Sequence, residues 1–265
     1  MSNLSIYCVT NKSLSFLEKL PLKLVGVGSE NFSNEYLRCD TKDNIYYKEK
    51  YYSELTFHYW YWKNLLDKER DGQWIGFCQK RRYWVKEKNT DLISKANLNK
   101  NLLFELEDDS RKLDSIICDP IEISGAKKIK MIKRGWKNLI KNPNIFFNKK
   151  KQNIEFHFDM HHGFGNLSKA INLLDVQDKS DFSSYVKNNT KYNPHIMFIA
   201  KKEIVKKWFN TLFPWLERCE SVFGFDDLKG YDTTRLYAYL AERYLSFWFK
   251  KYTVFKEQPW VFIDK

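Results

Sequence analysis

Residues 51–84 read YYSELTFHYWYWKNLLDKERDGQWIGFCQKRRYW, a helix pattern followed by a strand pattern. Apolar residues at helical spacing predict a helix over 53–66, with Ser53 as its N-cap. Its predicted buried stripe is Leu55, Tyr59, Trp62 and Leu66. A turn at Asp71-Gly72 then leads into residues 74–78, which are typical of a buried strand. The order helix, turn, strand indicates an α/β protein.

The rest of the chain repeats this alternation. Strand-like runs occur at 5–9, 22–27, 115–118 and 196–200, and helical patterns at 166–174, 202–216 and 233–249. We therefore expect an α/β fold in one domain over 1–265. A basic amphipathic insertion is expected around 127–151.

Composition excludes some classes of protein. Five cysteines, an odd number with no CxxC pair, argue against a disulfide framework and favour a reducing, cytoplasmic compartment. The amino-terminal residues do not resemble a signal peptide, and no apolar run is long enough to cross a membrane. The net charge of +12 favours a polyanionic or phosphorylated partner, although a Lys- and Asn-rich composition accounts for part of it. Nucleic-acid binding stays open on this ground.

A basic loop follows the predicted strand at 74–78. Its cations are Lys80, Arg81 and Arg82. Ligands of α/β proteins bind at the carboxyl ends of strands, and guanidinium groups match phosphate oxygens. The loop is thus a candidate diphosphate site, with a solvated basic turn as the alternative. Glu54 and Lys63 on the preceding helix could both project towards the same edge, or each could be a charge on the helix face.

Three of the five histidines fall within residues 155–162, which we interpret as a strand. Alternation would then place His157, Asp159 and His161 on one face and His162 on the other. The trio could hold a divalent cation such as Mn²⁺ or Mg²⁺, or Asp159 could act with a histidine as a general base. A chance cluster is the third alternative.

Residues 127–151 contain ten Lys or Arg and no acidic residue. Ile129, Ile132, Trp136 and the pair Leu139-Ile140 fall on one helical face. Such a helix suits the headgroup layer of a membrane, and the same charges would suit nucleic acid or a solvated surface.

Several motifs together resemble a known family. The strongest are Asp43-Asn44-Ile45, Tyr52-Ser53-Glu54-Leu55-Thr56, Tyr59-Trp60-Tyr61-Trp62-Lys63-Asn64 and Ile75-Gly76-Phe77-Cys78-Gln79-Lys80-Arg81-Arg82-Tyr83. Weaker matches are Ile6 to Lys12, Asn193 with 197–199, and Ala241-Glu242-Arg243. They resemble the bacterial capsular and exopolysaccharide biosynthesis proteins long labelled a domain of unknown function. That family is regarded as GT-A-like glycosyltransferases and includes galactofuranosyltransferases.

The resemblance implies a GT-A-like fold with a central mixed, mostly parallel sheet flanked by helices. It also implies transfer of a sugar from a UDP-sugar, with inversion, to a growing and lipid-linked surface glycan at the inner face of the bacterial inner membrane. Asn11, and Gln79-Lys80, depart from the usual His and His-Tyr of the family, which leaves the donor sugar open.

The resemblance further implies roles for individual residues. The expected donor and diphosphate residues are Thr10, Asn11, Lys12, Asp43, Asn44, Glu54, Lys63, Lys80, Arg81, Arg82, Asn193 and Arg243. The expected base is Asp159, assisted by His161 or His162, with Glu242 as the second candidate. No DxD motif precedes a strand end, Glu107-Asp108-Asp109 included, so no metal is expected to be required. A non-catalytic glycan-binding subunit and, less favoured, a nucleic-acid-binding protein are the alternatives.

Overall fold

The computed structural model describes residues 3–88, 90–106 and 112–264. The strands are β1 (Leu4–Thr10), β2 (Lys23–Gly26), β3 (Leu37–Arg38), β4 (Trp74–Gln79), β5 (Arg82–Trp84), β6 (Ser115–Cys118), β7 (Ile121–Glu122), β8 (Lys191–Tyr192), β9 (Phe198–Lys201), β10 (Phe255–Gln258) and β11 (Trp260–Phe262). The helices are α1 (Glu49–Tyr52), α2 (Leu55–Asn64), α3 (Leu98–Asn101), α4 (Lys128–Lys141), α5 (Ile154–His162), α6 (Asn166–Ile171), α7 (Val176–Asn188), α8 (Lys202–Phe223), α9 (Tyr231–Thr234) and α10 (Leu236–Tyr252). The acidic run Glu107-Asp108-Asp109 lies outside the described residues.

The main sheet has the strand order β10-β6-β9-β4-β1-β2-β3, with β5 and β11 attached at its side. In the described part of the chain, six of the seven strands on this path point the same way and β9 is reversed. Helices pack on this sheet, as the ring contacts of α2 with β4 show. The prediction of a mixed, mostly parallel sheet flanked by helices is confirmed.

Burial explains why the central strands are nearly continuous apolar runs. Strands that are covered on both faces have no polar side to present to water. The β4 sequence WIGFCQ is buried except at its last residue, and five of the seven residues of β1 are buried. Gly76 is required in β4 because a Cβ there would lie 2.9 Å from Ile199 and 3.0 Å from Ile6.

The chain divides into two compact units. The first comprises the described parts of 1–119, 195–211 and 248–265 and contains the nine-stranded sheet. The second comprises 120–194 and 212–247, is mostly helical and contains the β7–β8 pair. The predicted insertion falls within the second unit and contains α4.

The helix predicted at 53–66 is shorter, and its buried set differs from the prediction. Ser53 has a φ of 51° and does not cap the helix; instead, its carbonyl accepts a hydrogen bond from the Thr56 hydroxyl. Tyr59 and Trp62 were predicted as core but are only half-buried. Their polar atoms explain this, because Tyr59 donates to Asp43 and Trp62 donates to Asn210. The buried residues of α2 are Leu55, Thr56, Phe57, His58, Trp60 and Tyr61.

The strand predicted at 155–162 is wrong, because these residues form helix α5. Asn153 caps it by accepting a hydrogen bond from the Phe156 N–H, and Gly163, with a φ of 100°, ends it. Alternating aromatic residues mimicked a strand. On a helix, His157 and His161 share a face, while Asp159 points elsewhere.

Candidate functional site

The carboxyl ends of β1, β2 and β4 meet at one edge of the sheet, since these strands are parallel and adjacent. Thr10, Gly26 and Gln79 are their last residues. Strand β9 runs the other way, so the segment before it, His195 to Met197, reaches the same edge. Most of the polar side chains at this edge follow directly on these strand ends.

Asn11 and Lys80 come together from the loops after β1 and β4. The Lys80 ammonium donates a hydrogen bond to Asn11 Oδ1. The buried Thr10 hydroxyl shapes the first loop, because it donates to the Lys12 carbonyl (2.6 Å) and accepts from the Lys12 N–H (3.0 Å). The Lys12 side chain is exposed. Thr10 thus shapes this loop, whereas Asn11 and Lys80 present polar groups at the edge.

A second set of contacts surrounds Gln79. Its Nε2 donates to Glu54 and, at 2.8 Å, to the His195 carbonyl. Its Oε1 accepts from Arg82 Nη1 at 3.0 Å. Among the described residues, the buried Arg82 Nε has no hydrogen-bond partner. Glu54, Gln79 and Arg82 therefore form a connected chain with an unsatisfied guanidinium donor at one end.

Arg38, the last residue of β3, forms a third part of this edge. Its Nη2 donates to the Gly28 carbonyl (3.0 Å) and approaches the Tyr46 hydroxyl (2.7 Å). The buried Arg38 Nη1 has no hydrogen-bond partner within the described ranges. A Cβ on Gly28 would lie 3.8 Å from the Asn11 Cβ, so this part adjoins the Asn11–Lys80 pair.

Backbone strain is concentrated beside these residues. Ser53, His195 and Ile196 have φ values of 51°, 79° and 52°, which are uncommon for residues with a Cβ. Ser53 directly precedes Glu54, and His195 contacts Gln79. Strained backbone of this kind clusters at functional sites, where the surrounding structure maintains it.

Four predicted donor-site residues have no hydrogen bond to Asn11, Lys80, Gln79 or Arg82 among the contacts described. Arg81 faces Asp264, with 3.4 Å between Nη1 and Oδ1. Lys63 is nine residues beyond Glu54, at the other end of α2 and about 13 Å along its axis, so the two do not project towards one edge. Asp43 accepts a hydrogen bond from Tyr59, and Asn44 bridges the Lys42 carbonyl and the Tyr46 N–H, so both shape a loop.

Sequence reasoning missed Arg38 and His195 as parts of this edge. Arg38 ends β3, a strand of two residues that hydrophobic periodicity cannot detect. Gln79, where the sequence departs from the usual family residue, makes hydrogen bonds with Glu54, the His195 carbonyl and Arg82. Pairing of β9 against β4 brings His195 to the edge, and only the sheet register shows this.

The second unit contains a separate polar cluster around α5. His157 and His161 have ring centroids 4.6 Å apart, and His162 stacks on Tyr239 at 3.7 Å. Burial, reinforced by nearby cations, lowers the pKa of His157 to about 2, of His161 to about 4 and of His162 to about 3. The three imidazoles are therefore neutral near pH 7, which is the form that can accept a proton.

The geometry of His162 fixes its tautomer. Its Nδ1 lies 2.8 Å from the Asp232 carbonyl, which can only accept, so Nδ1 carries the proton and Nε2 the lone pair. Arg134 joins the cluster through Asp232 (2.7 Å). The lowered pKa that keeps His162 neutral also makes it a weak base.

Asp159 has both carboxylate oxygens engaged. Oδ2 accepts from Asn138 at 2.8 Å, and Oδ1 accepts from the Gly165 N–H at 2.9 Å. Burial raises the pKa of Asp159, against the effect of these two hydrogen bonds. The contacts tie α4 and the loop after α5 to α5, which is a structural use. The predicted His157, Asp159 and His161 set is not on one face, and no three metal-ligating side chains are grouped within the described ranges.

Two further predicted residues are interior anchors of the second unit. Asn193 is fully buried and accepts a hydrogen bond from the Ser246 hydroxyl at 2.7 Å. Arg243 is 1 % exposed, pairs with Glu242 and lies 3.9 Å from the Tyr192 ring centroid. Both side chains are buried, and Arg243 Nε, like Arg82 Nε, has no hydrogen-bond partner among the described residues. Glu242 is more accessible than Arg243, with 12 % of its side chain exposed.

Comparison with known proteins places this architecture. Among solved structures, the chain is similar to the apo structure of WbbM, a bifunctional glycosyltransferase, with a TM-score of 0.72 and 20 % identity. The match covers 99 % of this chain and 45 % of that one, so this chain spans less than half of its length. The chain therefore shares the fold of the matched part of that structure.

The family follows from the sequence match. A family model described as a domain of unknown function (DUF4422) matches residues 5–253, and the chain belongs to this family. No curated protein matches it. In the described ranges, no helix has both the length and the apolar content needed to cross a membrane.

Proposed function

We propose that this chain is a glycosyltransferase that moves a sugar from a nucleotide-diphosphate donor to a glycan acceptor. The family and the fold of the structural neighbour support this reaction class. The observation that carries the proposal is the set of cations at the carboxyl edge of β1, β3 and β4: Lys80, Arg82 and Arg38. Such a set favours a diphosphate.

The proposed mechanism uses this charge on the leaving group. As the bond between sugar and diphosphate breaks, negative charge grows on the diphosphate oxygens, and nearby N–H donors stabilise it. The unsatisfied Nε of Arg82 and Nη1 of Arg38 are donors of this kind. Glu54 holds Gln79, and Gln79 holds Arg82, so the guanidinium is oriented before the donor binds.

Transfer also requires a base for the acceptor hydroxyl. A UDP-furanose donor with an α linkage and a β product would require inversion and a single base. The proposed bases are Asp159, assisted by His161 or His162, and Glu242; Asp159 has both oxygens in hydrogen bonds, and Glu242 pairs with Arg243. Transfer is proposed to need no metal. Full activity in EDTA would agree with this, and activity restored only by Mn²⁺ would contradict it.

The finer assignments rest on the family resemblance. We propose a UDP-sugar donor, with a galactofuranose-type sugar as the candidate, and a lipid-linked capsular or other surface glycan as acceptor. The reaction would then take place on the cytoplasmic side of the bacterial inner membrane.

The test is a titration with nucleotides and nucleotide sugars, in which binding is measured by thermal denaturation and by calorimetry. UDP or a UDP-sugar is expected to raise Tm, because a ligand that binds the folded state stabilises it. Lys80→Met should weaken binding by about tenfold or more, since it removes a charge-assisted hydrogen bond. The matched control is Lys68→Met, which removes an exposed lysine elsewhere in the same unit.

Three results would count against the proposal. The first is that no nucleotide binds, and the second is that Lys80→Met and Lys68→Met bind equally well. The third is that the protein binds sugar without any donor turnover, which would favour a glycan-binding subunit. Salt-sensitive binding to oligonucleotides, with no nucleotide-sugar binding, would favour a nucleic-acid-binding protein.

A further inference from the structure

Helix α4 leaves an apolar stripe in solvent. The stripe residues are spaced three, four and four positions apart and so share one face: Ile129, Ile132, Trp136 and Ile140. Their exposed fractions are 70 %, 55 %, 51 % and 72 %. We call this set the α4 stripe.

The α4 stripe is not the face that holds the helix in place. Met131 and Gly135 are the buried residues of α4, and they pack against α5. A Cβ on Gly135 would lie 2.8 Å from the Phe156 ring and 3.1 Å from Met160, which shows how closely the two helices approach. The packing of α4 is thus satisfied on its other side, and the four large apolar side chains contribute little to it.

Positive charge accompanies the stripe. Every stripe residue is followed directly by a lysine, and these are Lys130, Lys133, Lys137 and Lys141. Residues 127–151 contain ten Lys or Arg and no Asp or Glu. A further ring, Phe147, is 80 % exposed just beyond the helix. The surface therefore combines exposed apolar side chains with a one-sign charge.

Charge complementarity indicates which binding partner fits the α4 stripe. A second copy of the chain would bring the same lysines face to face, and like charges oppose that contact. Nucleic acid would pair with the lysines, but its phosphates and sugars would offer no apolar partner to three isoleucines. A bilayer with anionic headgroups meets both requirements, because apolar side chains enter the acyl boundary while lysines reach the headgroups.

We propose that the α4 stripe and its lysines dock this protein on the surface of an anionic lipid bilayer. The helix would lie in the plane of the interface, with Trp136 at headgroup depth and Lys133 and Lys137 extended towards the phosphates. This inference rests on residues of the second unit alone and does not depend on the proposed donor site. It is tested with lipid, so its outcome is independent of nucleotide binding.

The experiment is co-sedimentation with vesicles of phosphatidylcholine, with and without about 30 % phosphatidylglycerol. The anionic lipid supplies the negative surface charge that attracts lysines. Two double variants test the two components: Ile132→Gln/Trp136→Gln and Lys133→Gln/Lys137→Gln. Each has a matched control at exposed sites outside α4: Val176→Gln/Val222→Gln for the apolar pair and Lys68→Gln/Lys207→Gln for the charges.

The wild type is expected to bind the anionic vesicles at least about tenfold more strongly than the neutral ones. Each α4 variant should lose about tenfold or more of this binding, while its control keeps it and all variants keep the wild-type Tm. The proposal is overturned if the wild type ignores phosphatidylglycerol, or if the α4 variants bind as their controls do. Binding to an oligonucleotide but not to vesicles would also overturn it.

Discussion

At the scale of single residues, neighbours in sequence have different surroundings. Arg82 Nη1 contacts Gln79, and its buried Nε is unsatisfied within the described residues. Arg81 instead faces Asp264, and 38 % of its side chain is exposed. Both guanidinium groups lie near the Phe262 ring, at 5.4 and 5.3 Å, so the difference lies in their polar contacts.

We therefore expect Arg82→Ala to weaken UDP-sugar binding by about tenfold or more, since it removes a charged donor. Arg81→Ala should change binding by less than about threefold, as expected for an exposed ion pair. Calorimetry on both variants measures this difference. Equal losses would mean that both guanidinium groups contact the diphosphate, and no loss in either would remove the diphosphate role.

Asp159 offers a second test at this scale. Asp159→Ala would leave the Asn138 amide and the Gly165 N–H without their partner, at a cost of about 1–3 kcal/mol in the free energy of unfolding. Urea denaturation measures this loss, and Asn138→Ala is expected to give part of it. If Asp159→Ala keeps its stability and loses all turnover, Asp159 is the base and not a structural residue.

At the scale of elements, β4 depends on a residue without a side chain. Gly76 lies in the middle of the strand, between Ile6 of β1 and Ile199 of β9. Both neighbours are buried, with exposed fractions of 5 % and 0 %, so they have little room to move. The register of three strands therefore requires a glycine here.

Gly76→Ala is expected to lower the free energy of unfolding by about 1–3 kcal/mol, the usual cost of overpacking a core. The added methyl group would approach the Ile199 side chain at 2.9 Å. Urea denaturation with an unchanged m-value would locate the effect in the native state. A variant as stable as the wild type would show that the strands separate more readily than this packing indicates.

At the scale of the whole molecule, buried histidines in both units link stability to pH. Burial lowers the pKa of His58, among the rings of Phe77, Phe198 and Phe209, to about 3. In the second unit, the pKa values of three further histidines are lowered as well: His157, His161 and His162. The histidines of the unfolded chain take up protons near their ordinary pKa of 6.5, whereas those of the folded chain do so only at a lower pH.

Because the folded-state pKa is the lower one, this contribution to stability is complete above about pH 6.5 and is lost as pH falls towards 3. We expect Tm to be lower at pH 4.5 than at pH 7. His58→Leu, which places an apolar side chain among three rings, should reduce that fall. Equal Tm at the two pH values, or an unchanged fall in His58→Leu, would contradict this account.

The edge of the sheet was largely predictable, and the second polar cluster was not. Local pattern identified β1, α2 and β4, and parallel pairing then placed Asn11 and Lys80 at one edge, as expected. Periodicity failed at α5, because its aromatic residues alternate while a cap at Asn153 and a stop at Gly163 set a helix. On a strand, Asp159 would share a face with His157 and His161, but on a helix it does not. The predicted trio was therefore wrong because the predicted strand was wrong.

The sequence by itself determined the α/β class, the family and the basic loop after β4, because hydrophobic period and short motifs are local properties. Only the tertiary structure decided which partners each side chain of that loop contacts. Arg81 and Arg82 are adjacent in the chain, yet Arg81 faces Asp264, whereas Arg82 donates to Gln79, which in turn donates to Glu54. Side-chain partners from distant segments depend on strand register and packing, and no local pattern contains that information.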